Sequence, residues 1–156
     1  MILLDVYVLC PRRDLEAVAR FRERWLDGMS EAEDGYDFPR YPGPPEVTYA
    51  SPWELSERLV GEPARPYAIY WTAGREANLV AAMLFFTSDG GLIAGLSLPD
   101  TQDGAIERAL TDLAETVGGR FGMTLWEEPP PERAADFLAA ARTAKGPRLV
   151  DGVLRG

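Results

Sequence analysis

The chain contains no histidine. That absence removes His-based triads, His-containing zinc sites and the commonest general base. Cysteine is almost missing: Cys10 stands alone, so no internal disulfide can form and no thiolate pair can hold zinc. A lone thiol with no imidazole to activate it is a poor nucleophile. Cys10 closes an apolar run and reads as a small core residue. Long hydrophobic stretches are also lacking. The longest, Leu79 to Phe86, falls far short of the roughly 20 residues that cross a bilayer. The opening "MILLDVYVLC" has no basic segment ahead of it and carries Asp5. It reads as a strand rather than a signal peptide, which makes a cytoplasmic location the expectation.

What is present is acid. The 156 residues include 25 Asp and Glu against 16 Lys and Arg, a formal charge of −9. Phosphate neutralisation needs a basic face, so nucleic acid is not the expected partner. A basic protein or a cationic ligand fits better. Length and ordinary composition predict one globular domain over residues 1–156, large enough to fold without disulfide or metal.

Periodicity places most elements. Ile2 to Cys10 reads as a strand ending at Pro11. Asp14 is a plausible cap for a helix whose Leu15, Val18, Phe21, Trp25 and Leu26 recur at helical spacing, with Gly28 as its stop. "SPWE" at Ser51 to Glu54 starts a short helix, with Ser capping, Pro at the first position and Glu reaching back. Tyr67 to Thr72 reads as a strand and Gly74 to Asn78 as a turn. Val80 to Leu98 reads as a hairpin about Asp89-Gly90, and its first arm is apolar on both faces, which predicts a central strand. Gly95 in the returning arm marks a bulge or a close backbone approach. Asp103 is expected to cap an amphipathic helix through Ile106, Leu110, Leu113 and Val117, stopped by Gly118-Gly119. Phe121 to Trp126 reads as a strand, and "EEPPPE" opens a last helix with Phe137, Leu138 and Ala141 inward. "PRLVDGVLRG" adds a short strand or frays. The fold class is therefore α+β or α/β: one layered domain, its sheet mixed but largely antiparallel, with a central hairpin and helices packed on it.

Ser30 to Val47 holds four prolines and two glycines, so regular structure is not expected there. It also holds Tyr36, Phe38 and Tyr41, and disordered segments are poor in aromatics. The segment is expected to pack on the body. Its Glu31, Glu33, Asp34 and Asp37, interleaved with those aromatics, make it the candidate partner-binding face. It fails as a calcium loop because the ligand register is not met. "SDGG" at Ser88 to Gly91 lacks the lysine of a phosphate loop and joins two strands, so it reads as a turn. Asp89, Glu127 and Glu128 are the only carboxylates considered for acid–base chemistry, although acids ahead of a helix also suit its positive end. The four tryptophans read mainly as core, with Trp71 the one expected to be partly exposed.

The blocks "PRRDLEAVARFRERWL", "MLFFTSDGGLIAGLSLPD" and "WEEPPP" together resemble a group of small bacterial proteins of unassigned function, a likeness that spans most of the chain and transfers no site residues. In size, acidity and missing chemistry the chain also resembles bacterial toxin-immunity proteins. That resemblance implies a non-catalytic protein masking a basic toxin or another protein partner, with no catalytic residue, metal or cofactor. Two alternatives stand beside it: a module that self-associates through an exposed edge such as Tyr67 to Thr72, and a hydrolase built on the three carboxylates.

Overall fold

The structure, a computed structural model, describes residues 2–40, 43–73, 78–100 and 103–156. In chain order the elements are β1 (Leu3–Cys10), α1 (Leu15–Trp25), β2 (Ser30–Glu31), β3 (Tyr36–Phe38), β4 (Val47–Tyr49), α2 (Pro52–Gly61), β5 (Tyr67–Thr72), β6 (Ala81–Phe86), β7 (Leu92–Pro99), α3 (Ala105–Val117), β8 (Phe121–Leu125), α4 (Ala134–Thr143), β9 (Arg148–Val150) and β10 (Val153–Arg155). Eight strands form one sheet in the order β10-β9-β8-β1-β7-β6-β5-β2, and β3 and β4 pair as a separate ribbon. Every ladder among the described residues is antiparallel. This is an α+β domain.

β1 lies between β7 and β8 and runs against both. Those two therefore point the same way, and α3 carries the chain across β1 to join them. Burial of both faces explains why β1 and β7 are apolar almost throughout. α1, α2 and α3 cover one face. There Phe21, Leu55, Leu59, Leu110 and Leu113 meet Val6, Val8, Leu84, Ala94 and Leu96 in the main core. α4 alone covers the other face, with Phe137 and Ala141 against Tyr7, Leu9, Met83, Ile93 and Met123.

Capping follows the sequence in α1 and α2: the Asp14 carboxylate accepts from Glu16 N–H, and the Ser51 hydroxyl from Trp53 N–H. It departs in α3, which starts one residue later than the Asp103 expectation, with Gly104 at the cap and no side-chain acceptor. Its end matches the glycine pair, since Gly118 is left-handed at φ 72° and Gly119 N–H closes on the Ala114 carbonyl. The hairpin is real, but Thr87 to Gly91 bridges it as a five-residue loop, pinned by Gly91 N–H to Thr87 Oγ1. Gly95 is a close approach: a Cβ there would meet the Tyr7 ring at 2.7 Å. The tail forms a hairpin instead of fraying, β9 and β10 turning through Asp151 and Gly152 at positive φ.

Two expectations need correction. The strand Tyr67–Thr72 is not a free edge: β2 pairs with its Trp71–Thr72 end, and Ala32 N–H reaches the Tyr70 carbonyl. Residues Ser30 to Val47 are not wholly irregular. Tyr36-Asp37-Phe38 alternates buried, exposed, buried and pairs with Val47-Thr48-Tyr49. The glycines and prolines around this period-two triplet masked it. The expected turn at Gly74–Asn78 lies mostly outside the described residues. Among those residues no helix is long and apolar enough to cross a membrane.

Candidate functional site

The Ser30–Val47 segment is held down by its own chemistry. Tyr36 and Phe38 are fully buried in the main core, so they are anchors and present nothing to a partner. This corrects their placement among the contact residues: a phenyl and a phenol ring gain more from burial than from exposure, and the two-stranded ribbon turns both inward. The Tyr36 hydroxyl donates to the Glu31 carboxylate at 2.8 Å. Burial and that carboxylate push the Tyr36 phenol above its usual range. Arg40 neutralises Glu33 by donating to both of its oxygens, and also donates to the Tyr67 hydroxyl, which in turn donates to the Asp37 carbonyl. Asp37 accepts from Thr48 Oγ1. Glu31, Asp34 and Asp37 remain exposed at the surface. Tyr41 lies outside the described residues.

The acidic surface continues into a cleft that the sequence reading missed. α1 and α2 diverge over β5 and leave a space of 790 Å³ between them. Its floor is Trp53 from α2 stacked on Trp71 from β5, rings 5.7 Å apart and 12° from parallel. Glu23 and Asp27 line it from the α1 side and Glu57 from α2, and Glu31, paired with Trp71 across β2 and β5, joins them. Among the described residues one cation enters, Arg22, whose guanidinium carbon sits 4.4 Å from the Trp53 ring centroid. The cleft thus combines, among those residues, four carboxylates, a half-buried Trp53 ring backed by the buried Trp71, and a guanidinium stacked on that ring. Glu23 stands in the last turn of α1, and Asp27 follows just past the cap at Leu26. The fold was needed to bring Trp53 and Trp71 together. Trp71, expected to be partly exposed, is 2% exposed, whereas Trp126, expected in the core, is 66% exposed just beyond the end of β8.

The three carboxylates weighed for catalysis do not form a set. Asp89 is spent on α4: its two oxygens accept from Ala134 N–H at 2.7 Å and Ala135 N–H at 3.1 Å. Burial alone would raise its carboxyl, but these bonds and the Thr87 side chain outweigh it and hold it below the usual carboxylate range. Asp89 lies beyond the Cys10–Leu92 end of the sheet, whereas Glu127 follows Leu125, which pairs with Asp5 at the other end. Five residues of strand between these levels span about 17 Å. The main chain of Glu128 accepts the Tyr7 hydroxyl at 2.9 Å.

Two buried polar groups were not recognised in the sequence. Arg13, 8% exposed, donates to the main-chain carbonyls of Leu59, Glu62, Arg65 and Thr87. It ties the C-terminal end of α2 to the hairpin loop. Burial lowers its guanidinium to about 10, partly offset by the charge of Asp89. Asp5, 9% exposed, stands inside β1. Cys10 is buried, donates weakly to the Val117 carbonyl and is pushed up to about 12 by burial. It is an inert core thiol. Among the described residues no group of side chains is placed to hold a metal ion.

Comparison with protein-family models, curated protein sequences and solved structures finds no match.

Proposed function

We propose that the chain is a non-catalytic binding protein of inhibitor or immunity type, holding a basic segment of a protein partner in the α1–α2 cleft. The observation that carries this reading is the composition of that cleft: stacked Trp53 and Trp71 beneath Glu23, Asp27, Glu31 and Glu57. The half-buried Trp53 ring, backed by buried Trp71, lies within that acidic rim and supplies both parts of a typical interface anchor, dispersion at the centre and charge around it. The formal charge of −9 adds long-range attraction for a basic partner. Asp34 and Asp37 are exposed as well and add to the acidic surface. A cytoplasmic site of action goes with this reading.

Arg22 gives the proposal a signature. An incoming guanidinium competes with it for the face of Trp53. Titration of a short arginine-rich peptide, followed by tryptophan fluorescence, is expected to saturate and to weaken about tenfold from low to physiological salt. Combined Glu23→Gln, Asp27→Asn and Glu57→Gln is expected to weaken it further, and Arg22→Ala to tighten it. Binding indifferent to all four changes would refute the assignment.

A further inference from the structure

The opposite face of the sheet carries different chemistry. Register places Thr72, Ala81, Ser97, Asp5 and Leu125 side by side in one row across β5, β6, β7, β1 and β8. Leu125, at the β8 end of the row, packs against the cluster that α4 builds over this face. Thr72 is exposed and Ala81 half-buried, so the row opens at its β5–β6 end, with Ser97 and Asp5 sunk behind it.

Asp5 is short of donors. The single phenolic proton of Tyr7 goes to the Glu128 carbonyl, which leaves the Ser97 hydroxyl as the neighbour able to donate. No ion pair among the described residues includes Asp5. Burial, opposed by hydrogen bonding from Ser97 and Tyr7 and reinforced by the charge of Glu127, holds its carboxyl above the usual range. Among the described residues, the remaining groups that act on it are acidic or neutral. Glu128 lies beside Tyr7, and Tyr70 faces Asp5 from β5 with Arg40 and Glu33 beyond it. A buried carboxylate without a cation is costly, and an anionic ligand has nothing in this row to pair with.

We propose that this row is a binding site for a primary alkylammonium group, whose N–H donors meet the Asp5 carboxylate and the Ser97 hydroxyl. A compact ammonium on a slender stem reaches a carboxylate that is only 9% exposed, where a planar guanidinium needs a wider opening. The stem lies toward the partly exposed Tyr70 ring, which packs edge-on against Phe85. The source of the group is either a free small amine or the side chain of a lysine.

The test follows the Asp5 carboxyl carbon by NMR across a pH titration of the whole protein. With saturating n-butylammonium its midpoint is expected to fall by about one pH unit, a tenfold preference for the charged carboxylate. Nα-acetyl-lysine amide in place of butylammonium separates the sources: equal affinity assigns the site to small amines, and markedly tighter binding assigns it to a lysine side chain. Asp5→Asn is expected to abolish binding and Ser97→Ala to weaken it several-fold. Should Asp5→Asn fail to fold, the wild-type midpoint and Ser97→Ala still decide. Tetramethylammonium has no N–H donor, so an equal shift with it would reduce the effect to screening and overturn the proposal. An unmoved Asp5 signal would overturn it as well.

Discussion

The two faces of the sheet are built on different principles. One is covered by α1, α2 and α3 over a large aliphatic and aromatic core, with the cleft between α1 and α2 as its opening. The other has α4 over one end only and keeps Asp5, Ser97, Thr72 and Tyr70 at the other. Hydrophobic burial scales with area and holds the first face together without direction. The second contributes less area and relies on directed bonds: Tyr7 to Glu128, and Asp89 to the first amides of α4. Apolar burial is thus concentrated on the face under α1, α2 and α3.

The sharpest way to break this contrast is at Arg13, which fastens the closed side. Arg13→Ala removes four charge-assisted bonds to buried or half-buried carbonyls. Those of Leu59, Glu62 and Thr87 keep a main-chain donor and that of Arg65 loses its partner, and the change is expected to cost about 3–5 kcal/mol in urea denaturation. Arg13→Lys is expected to recover less than half, because an ammonium cannot span four acceptors in a plane. Next in size, Leu110→Ala in the main core is expected to cost about 2–5 kcal/mol, more than Leu138→Ala on the half-buried side of α4. Similar values for the two would remove the asymmetry. Asp89→Ala is expected to cost about 1 kcal/mol and to speed amide exchange selectively in α4. The Asp89 carboxyl is lower folded than unfolded. Its contribution is therefore present above the unfolded value near 3.8 and is lost as pH falls through the folded one. Asp5 has the opposite sign. Its carboxyl is raised on folding, so it favours the folded state below 3.8, and that advantage disappears as pH rises through its folded value. Asp5→Asn is expected to leave stability at neutral pH unchanged or slightly higher and to erase that acid-side gain. A clear loss at neutral pH would show that the charge is satisfied after all.

Much of this fold was legible because its elements bury a regular stripe. The spacing of Ile106, Leu110, Leu113 and Val117 gave α3, and two apolar arms about Asp89-Gly90 gave β6 and β7. Tyr36-Asp37-Phe38 was hidden because three residues carry too little period to outweigh nearby prolines and glycines. The cleft was half legible. Glu31 and the acidity around it stood out, but Trp53 and Trp71 lie eighteen positions apart, and only the packing of α2 on β5 stacks them. Arg13 and Asp5 escaped notice for a common reason. A charge next to an apolar run reads locally as an interruption, and its burial depends on which distant carbonyls or hydroxyls the fold delivers. Asp89 was noticed for its carboxylate, yet the amides it serves lie 45 positions downstream.

That long reach of Asp89 bears on how the protein comes into being. Synthesis runs from the N-terminus, so the β6–β7 hairpin leaves the ribosome before α4 does. The acceptor that starts the last helix is already waiting when Ala134 and Ala135 emerge. A nascent α4 has no side-chain cap of its own, since Arg133 at its cap position supplies none. The helix is thus conditional on the strands made before it, and a fragment beginning after the hairpin should show it frayed.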